Sequence, residues 1–169
     1  MNPFQRLARQ PKVYQWMLGT GPLVERIDRA LRRVSRDRFG ALDLAGLPTI
    51  RATVPGRKTG LPRTCTLQVI PDGDRLLVVA SNWARPDHPA WSANFLAADE
   101  VTVNQDGAQF SAAVRLLTGA ARDQAWQHIL AQWPNYQLAQ NKVPTREFRL
   151  FELRTGSRGT GDPDRRGRA

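Results

Sequence analysis

The chain has 169 residues, 41% of them hydrophobic and 24% charged, and a formal net charge of +10. That suits one domain with one sizeable core, and no stretch reaches the roughly 20 uninterrupted apolar residues of a membrane span. A single cysteine, Cys65, excludes an internal disulfide, and with only His88 and His128 beside it no Cys/His zinc cage and no metal site is expected.

Chain order begins with a basic segment. Residues 1–40 carry nine basic and three acidic side chains, residues 154–169 five and two, and residues 41–153 eleven and ten. The expected division is a basic helical extension (1–40), a nearly neutral folded domain (41–154) and a disordered basic tail (155–169) poor in apolar residues. Basic flanks attract any polyanion, so they specify neither nucleic acid nor anionic lipid. No specific nucleic-acid partner is expected, because the fold core is not basic. Arg6, Arg9, Pro11 and Lys12 interrupt the apolar residues of the N-terminus, which lacks the apolar run of a secretory signal. A cytoplasmic protein is expected.

A short helix is expected over Val13–Leu18, broken by Gly19, Gly21 and Pro22 from a second helix starting at Leu23. In that second helix Leu23, Ile27, Leu31 and Val34 form an apolar stripe, with Arg26, Arg29, Arg32, Arg33 and Arg36 beside it. The stripe is expected to pack on the domain and leave a solvated basic face. The other readings are peripheral contact with an anionic membrane and a flap over a substrate pocket.

Strands are expected at Thr49–Val54, Arg63–Ile70 and Arg75–Ser81. A Gly/Pro-rich turn (55–62) joins the first pair and the tight Pro71-Asp72-Gly73-Asp74 turn joins the second. Leu76–Ala80 is apolar on both faces and should be central. Cys65 reads as a buried strand cysteine. After a loop at Asn82–His88, Asp87 is the expected N-cap of a helix with Pro89 in its first turn, ending near Ala98. Strands Val101–Gln105 and Gln109–Leu116, a helix from about Ala120 to Gln132 capped by Thr118, and a last strand at Glu147–Leu153 complete the pattern. Six strands joined mostly by hairpins, with helices between them, suit an α+β fold: a mostly antiparallel barrel with helices outside. No βαβ repeat supports a Rossmann fold.

Two segments are candidates for chemistry. Gly56-Arg57-Lys58-Thr59-Gly60 lacks the P-loop pattern and is followed by a strand, not a helix. Its exposed turn amides, with Arg57, Lys58 and Arg63, suit a phosphate seat; the alternative is an ordinary basic turn. In Ala80-Ser81-Asn82-Trp83-Ala84 a strand end meets the approach to a helix, and free amides there suit the edge of a flat polar ring. Trp91 and Asn94 share one helix face.

Thr53–Arg63, the Asp-Gly hairpin, Val79–Asn82, His88–Phe95 and Trp133-Pro134-Asn135-Tyr136 together resemble the deazaflavin-dependent nitroreductase and quinone reductase family, over roughly residues 48–153. The resemblance implies a split β-barrel of the flavin-binding type and coenzyme F-420, an 8-hydroxy-5-deazaflavin with a phosphate and a glutamate tail. It implies that Arg57, Lys58 and Arg63 hold the phosphate and tail carboxylates. Ala80, Ser81 and Asn82 would line the ring, and Trp91 and Asn94 would complete the pocket. Tyr136 matches a substrate-pocket tyrosine that would orient the acceptor or donate a proton. Ala84 stands where relatives usually have glycine, and Trp83 sets an indole beside the ring site.

The expected activity is hydride transfer from the reduced deazaflavin to an electron-poor small molecule such as a quinone or nitroaromatic, with no acid–base dyad required. The alternatives are a non-catalytic deazaflavin- or lipid-binding barrel, and an FMN- or haem-binding enzyme of the same fold. Either a monomer or a homodimer is compatible with the sequence.

Overall fold

A computed structural model describes residues 10–35, 40 and 47–155. Six strands form a closed barrel: β1 (Thr49–Pro55), β2 (Pro62–Asp72), β3 (Arg75–Val79), β4 (Glu100–Gln105), β5 (Ala108–Leu117) and β6 (Leu150–Thr155). Their order around the barrel is β1-β2-β3-β6-β5-β4, and β4 closes it by pairing with β1. Every pairing is antiparallel. Two turns take glycine in the left-handed region, Gly73 at φ 62° and Gly107 at φ 83°, as tight hairpins require.

Period-two alternation separates two cores. All six strands contribute to the barrel interior, including Ile50, Val69, Val78, Val103, Ala112 and Phe151. The outward residues Ile70, Leu77, Val79 and Leu150 form a second core under the helices with Ile129, Tyr136 and Phe148. β3 therefore buries both faces, as its apolar run implies.

Among the described residues four α-helices accompany the barrel: α1 (Pro11–Val34), α2 (Ala90–Phe95), α3 (Gly119–Gln132) and α4 (Asn135–Lys142). The sequence reading does not contain α4, and several expected boundaries shift. The last strand starts at Leu150 rather than Glu147 and continues to Thr155. Pro89, not Asp87, occupies the N-cap position of α2, which ends at Phe95; Thr118 stands at the N-cap of α3 but its side chain makes no capping hydrogen bond.

The largest corrections concern α1. It runs unbroken through Gly19, Gly21 and Pro22, although an interior proline costs a helix about 3 kcal/mol. Tyr14 and Leu18 before the expected break, and Glu25 and Asp28 after it, all border one cleft, so tertiary contacts on both sides override the local breakers. The apolar stripe also faces the other way. Leu23, Ile27 and Val34 are 55%, 45% and 85% exposed, with Trp16 at 67% on the same line. The polar side of the helix packs instead, and Asp28 and Arg32 form an ion pair at 3.0 Å there. The expected tail from residue 155 onward lies, after Thr155, outside the described residues.

Candidate functional site

A cleft of about 1200 Å³ opens between α1, the outer ends of β1 and β2, and the segment from Ser81 to Asn94. It brings together Arg57, Lys58, Arg63, Ser81, Asn82, Trp91, Asn94 and Tyr136. Ala80 is fully buried and is not on the wall.

The β1–β2 turn uses its own amides. Gly56 donates to the Leu61 carbonyl, Thr59 and Gly60 donate to the Gly56 carbonyl, and Arg57 donates to Asn94 Oδ1 at 3.2 Å. An anion there meets side-chain cations rather than the free turn amides expected from the sequence. Arg57, Lys58 and Arg63 are exposed on the cleft wall with no ion pair among the described residues. Asn94 thereby ties α2 to this turn. Trp91 borders the cleft as expected and also packs edge-on against Phe95 at 4.9 Å between ring centroids.

The strand-to-helix segment does present free amides. Asn82, Trp83 and Ala84 lie at φ 51°, 55° and 56°, a left-handed turn built without glycine. Ser81 before them is right-handed, at φ −71° and ψ −28°. A right-handed residue followed by a left-handed one converges successive N–H groups on one point, a concavity that binds anions and carbonyl oxygens. The amides of Ser81, Asn82 and Trp83 have no acceptor among the described residues. The Asn82 side chain is turned back, donating to the Asp87 carbonyl at 2.7 Å.

Sequence reasoning missed Arg146, which supports this turn from behind. Its guanidinium donates to the carbonyls of Ala80 (3.1 Å), Ser81 (2.8 Å) and Arg85 (2.8 Å). Those carbonyls are held by Arg146, while Ser81, Asn82 and Trp83, whose amides have no acceptor among the described residues, line the cleft. No motif near Arg146 signals the role, because its partners lie more than 60 residues away in sequence.

Tyr136 is buried at the inner end, donating to Gln68 Oε1 at 3.3 Å. Burial pushes its phenol well above the ordinary tyrosine value, and burial does the same to Tyr14 on α1. Both stay protonated through the physiological range, so each hydroxyl keeps a hydrogen to donate. Cys65 borders the same cleft, and burial pushes its thiol up to about 12. No cluster of metal-ligating side chains exists among the described residues.

The F420H(2)-dependent quinone reductase family matches residues 25–148. An F420H(2)-dependent quinone reductase of Mycobacterium tuberculosis (strain ATCC 25618 / H37Rv) is 30% identical over 118 residues, 66% of this chain and 79% of that protein. A solved F420-H2 dependent reductase (FDR-A) is 27% identical, with a TM-score of 0.57 over 63% of this chain and 93% of that one. A second solved chain with the same identity and TM-score, covering 63% of this chain and 79% of its own length, is described as a domain-swapped dimer. With the barrel, the cationic turn and the amide concavity in one cleft, this chain belongs to the F420H(2)-dependent quinone reductase family.

Proposed function

We propose that this chain reduces a quinone with hydride from coenzyme F-420 in the cleft beside α1. One observation carries the reading. The unpaired amides of Ser81, Asn82 and Trp83 and the cations Arg57, Lys58 and Arg63 border one cleft. Its size suits a ligand with a flat polar ring and an anionic tail. Arg57, Lys58 and Arg63 hold the phosphate and tail carboxylates. The amides after Ala80 hold the polar edge of the ring, with Ala80 behind the wall rather than on it. Trp91 closes the ring side and Asn94 fixes the Arg57 loop. Bound here, the coenzyme supplies hydride from the carbon that replaces a flavin nitrogen. Tyr136 orients the acceptor through Gln68, to which its hydroxyl donates; its raised pKa makes it a poor acid, so the proton for the second oxygen comes from water. α1 and Trp83 border the cleft.

In this reading residues 41–154 are the catalytic unit and α1, from the 1–40 segment, supplies one wall. The exposed line Trp16, Leu23, Ile27 and Val34, with Arg26 and Arg33 beside it, suits a cytoplasmic protein that rests on an anionic membrane surface, where lipid-soluble quinones reside. No described helix is long and apolar enough to cross a membrane. The domain-swapped neighbour makes a homodimer the assembly to test first.

The test is a fluorescence titration with F-420, using FMN as control and Trp83 and Trp91 as reporters. Micromolar or tighter binding of F-420 with much weaker FMN is expected, followed by turnover of a quinone. Absence of F-420 binding refutes the reading, and binding without turnover of any acceptor leaves the non-catalytic alternative in its place.

A further inference from the structure

One polar contact ties α1 to the left-handed turn, beside the packing of Tyr14 and Leu18 on the outer core. Trp83 projects from the left-handed turn onto the helix, and its indole N–H donates to Glu25 Oε1 at 2.7 Å. The ring lies so close to Gly21 that any side chain at that position would collide with it. A bulky residue at φ 55° is strained, so the indole sits where it does because α1 receives it. The consequence lies two turns back along the helix. Tyr14 faces the cleft and packs against the outer core that includes Leu18 and Tyr136. Tyr14 and Tyr136 thus border the same cleft and share one apolar cluster.

This end of the cleft has unspent donors. The Tyr14 hydroxyl makes no hydrogen bond among the described residues. Gln68 accepts from Tyr136 through Oε1, while its Nε2 is buried with no partner. Burying a donor without a partner costs about 1–3 kcal/mol, and a ligand that offers only acceptor oxygens removes that cost. Quinone carbonyls are such acceptors.

Resting on the quinone reading above, we propose that Tyr14 and the Gln68 amide bind a carbonyl oxygen of the acceptor, and that Trp83 is the positioning residue that seats Tyr14 through α1. The acceptor then gains two electrons and one hydrogen as hydride, and a proton from water on its second oxygen. Tyr14 donates a hydrogen bond throughout and transfers no proton.

The probe is menadione binding to protein loaded with oxidised coenzyme, which has no hydride to give, so the measurement reads binding alone. Tyr14→Phe removes one hydroxyl and preserves the packing. It is expected to weaken menadione binding about five- to tenfold while the coenzyme dissociation constant stays within about twofold. KM for menadione rises with it under turnover and kcat changes less. Trp83→Phe and Glu25→Ala are expected to weaken menadione binding in the same direction. Both should also speed trypsin cleavage at Arg26 and Arg29, a readout of α1 undocking. Glu25→Gln keeps an acceptor for the indole N–H and restores resistance to trypsin. Unchanged menadione affinity in Tyr14→Phe, with normal coenzyme binding, overturns this inference alone. If the unaltered protein binds no F-420, the functional reading fails and this inference with it.

Discussion

Asn82, Trp83 and Ala84 take left-handed backbone angles that cost a residue with a Cβ roughly 1 kcal/mol or more each. Arg146 offsets that cost by donating to three carbonyls of the segment, and the yield is a row of amides unpaired among the described residues, on residues that line the cleft. Ala84→Gly relieves the strain but adds freedom to the unfolded chain, and the two effects nearly cancel. Its stability in urea denaturation is expected within about 0.5 kcal/mol of the parent. Ala84→Val places a β-branched side chain at φ 56° and is expected to lose about 1–3 kcal/mol. Cys65 offers a second residue-level test. With its thiol pushed up to about 12 by burial, only about one molecule in ten thousand is thiolate at pH 8. Alkylation of the native protein, followed by mass, is expected to be far slower than that of the unfolded chain, and to speed up as pH rises toward 12. The sequence reading placed a loop from Asn82 to His88 but not the left-handed turn within it, because no glycine marks the turn. The Arg146 support did not show, because a guanidinium reaching distant carbonyls leaves no local pattern.

Among the elements, the strands were the most legible. Alternation places the barrel strands within a few residues of where they stand, and the Asp-Gly turns mark both tight hairpins. The helices were less so, for physical reasons. α4 is eight residues with little amphipathic pattern, so tertiary packing of Tyr136 and Ala139 decides it. α1 was read with its two faces exchanged, because an apolar stripe ordinarily seeks a core, whereas here the ligand-facing side is polar. That reversal carries a prediction. Anionic phosphatidylglycerol vesicles are expected to sediment the protein and neutral phosphatidylcholine vesicles to leave it in solution, with Leu23→Asp plus Ile27→Asp abolishing the binding. The sheet has its own clamp. Glu152 on β6, its side chain 5% exposed, accepts from Arg75 on β3 and Arg115 on β5 at 2.7 Å each. Burial alone would raise its pKa, but the hydrogen bonds from Arg115 and Arg75 outweigh it and hold the carboxyl below the ordinary range. A depressed folded pKa means stability present above the unfolded carboxylate pKa and lost as pH falls through the folded value. Glu152→Gln is expected to cost about 1–3 kcal/mol at pH 7 and to flatten the loss of thermal stability in acid, followed by melting temperature against pH.

For the molecule as a whole, the charge distribution says how the site is reached. Residues 41–153 carry nearly balanced charge, yet Arg57, Lys58 and Arg63 are gathered on one wall of the cleft, and Arg29 and Arg33 of the basic extension face them from α1. The extension therefore contributes positive potential to the wall proposed to hold the coenzyme tail, in addition to any surface role. Exposed ion pairs are worth at most about 1 kcal/mol each and are screened by salt. Replacing two of them, Arg57→Ala with Lys58→Ala, is expected to weaken F-420 binding about tenfold. The melting temperature of the free protein should not move, because both side chains are exposed in a turn closed by its own backbone bonds. The salt response separates electrostatics from shape. Raising ionic strength from 50 to 300 mM should weaken F-420 binding by the parent and have a smaller effect on the double variant. A deazaflavin lacking phosphate and tail should bind both proteins equally at either ionic strength, if, as proposed, the amides of Ser81, Asn82 and Trp83 recognise the ring and not the tail. If the tail-less ring were instead the ligand that lost affinity in the double variant, the cations would be acting on the ring itself. The assignment of the two halves of the cleft would then have to be exchanged.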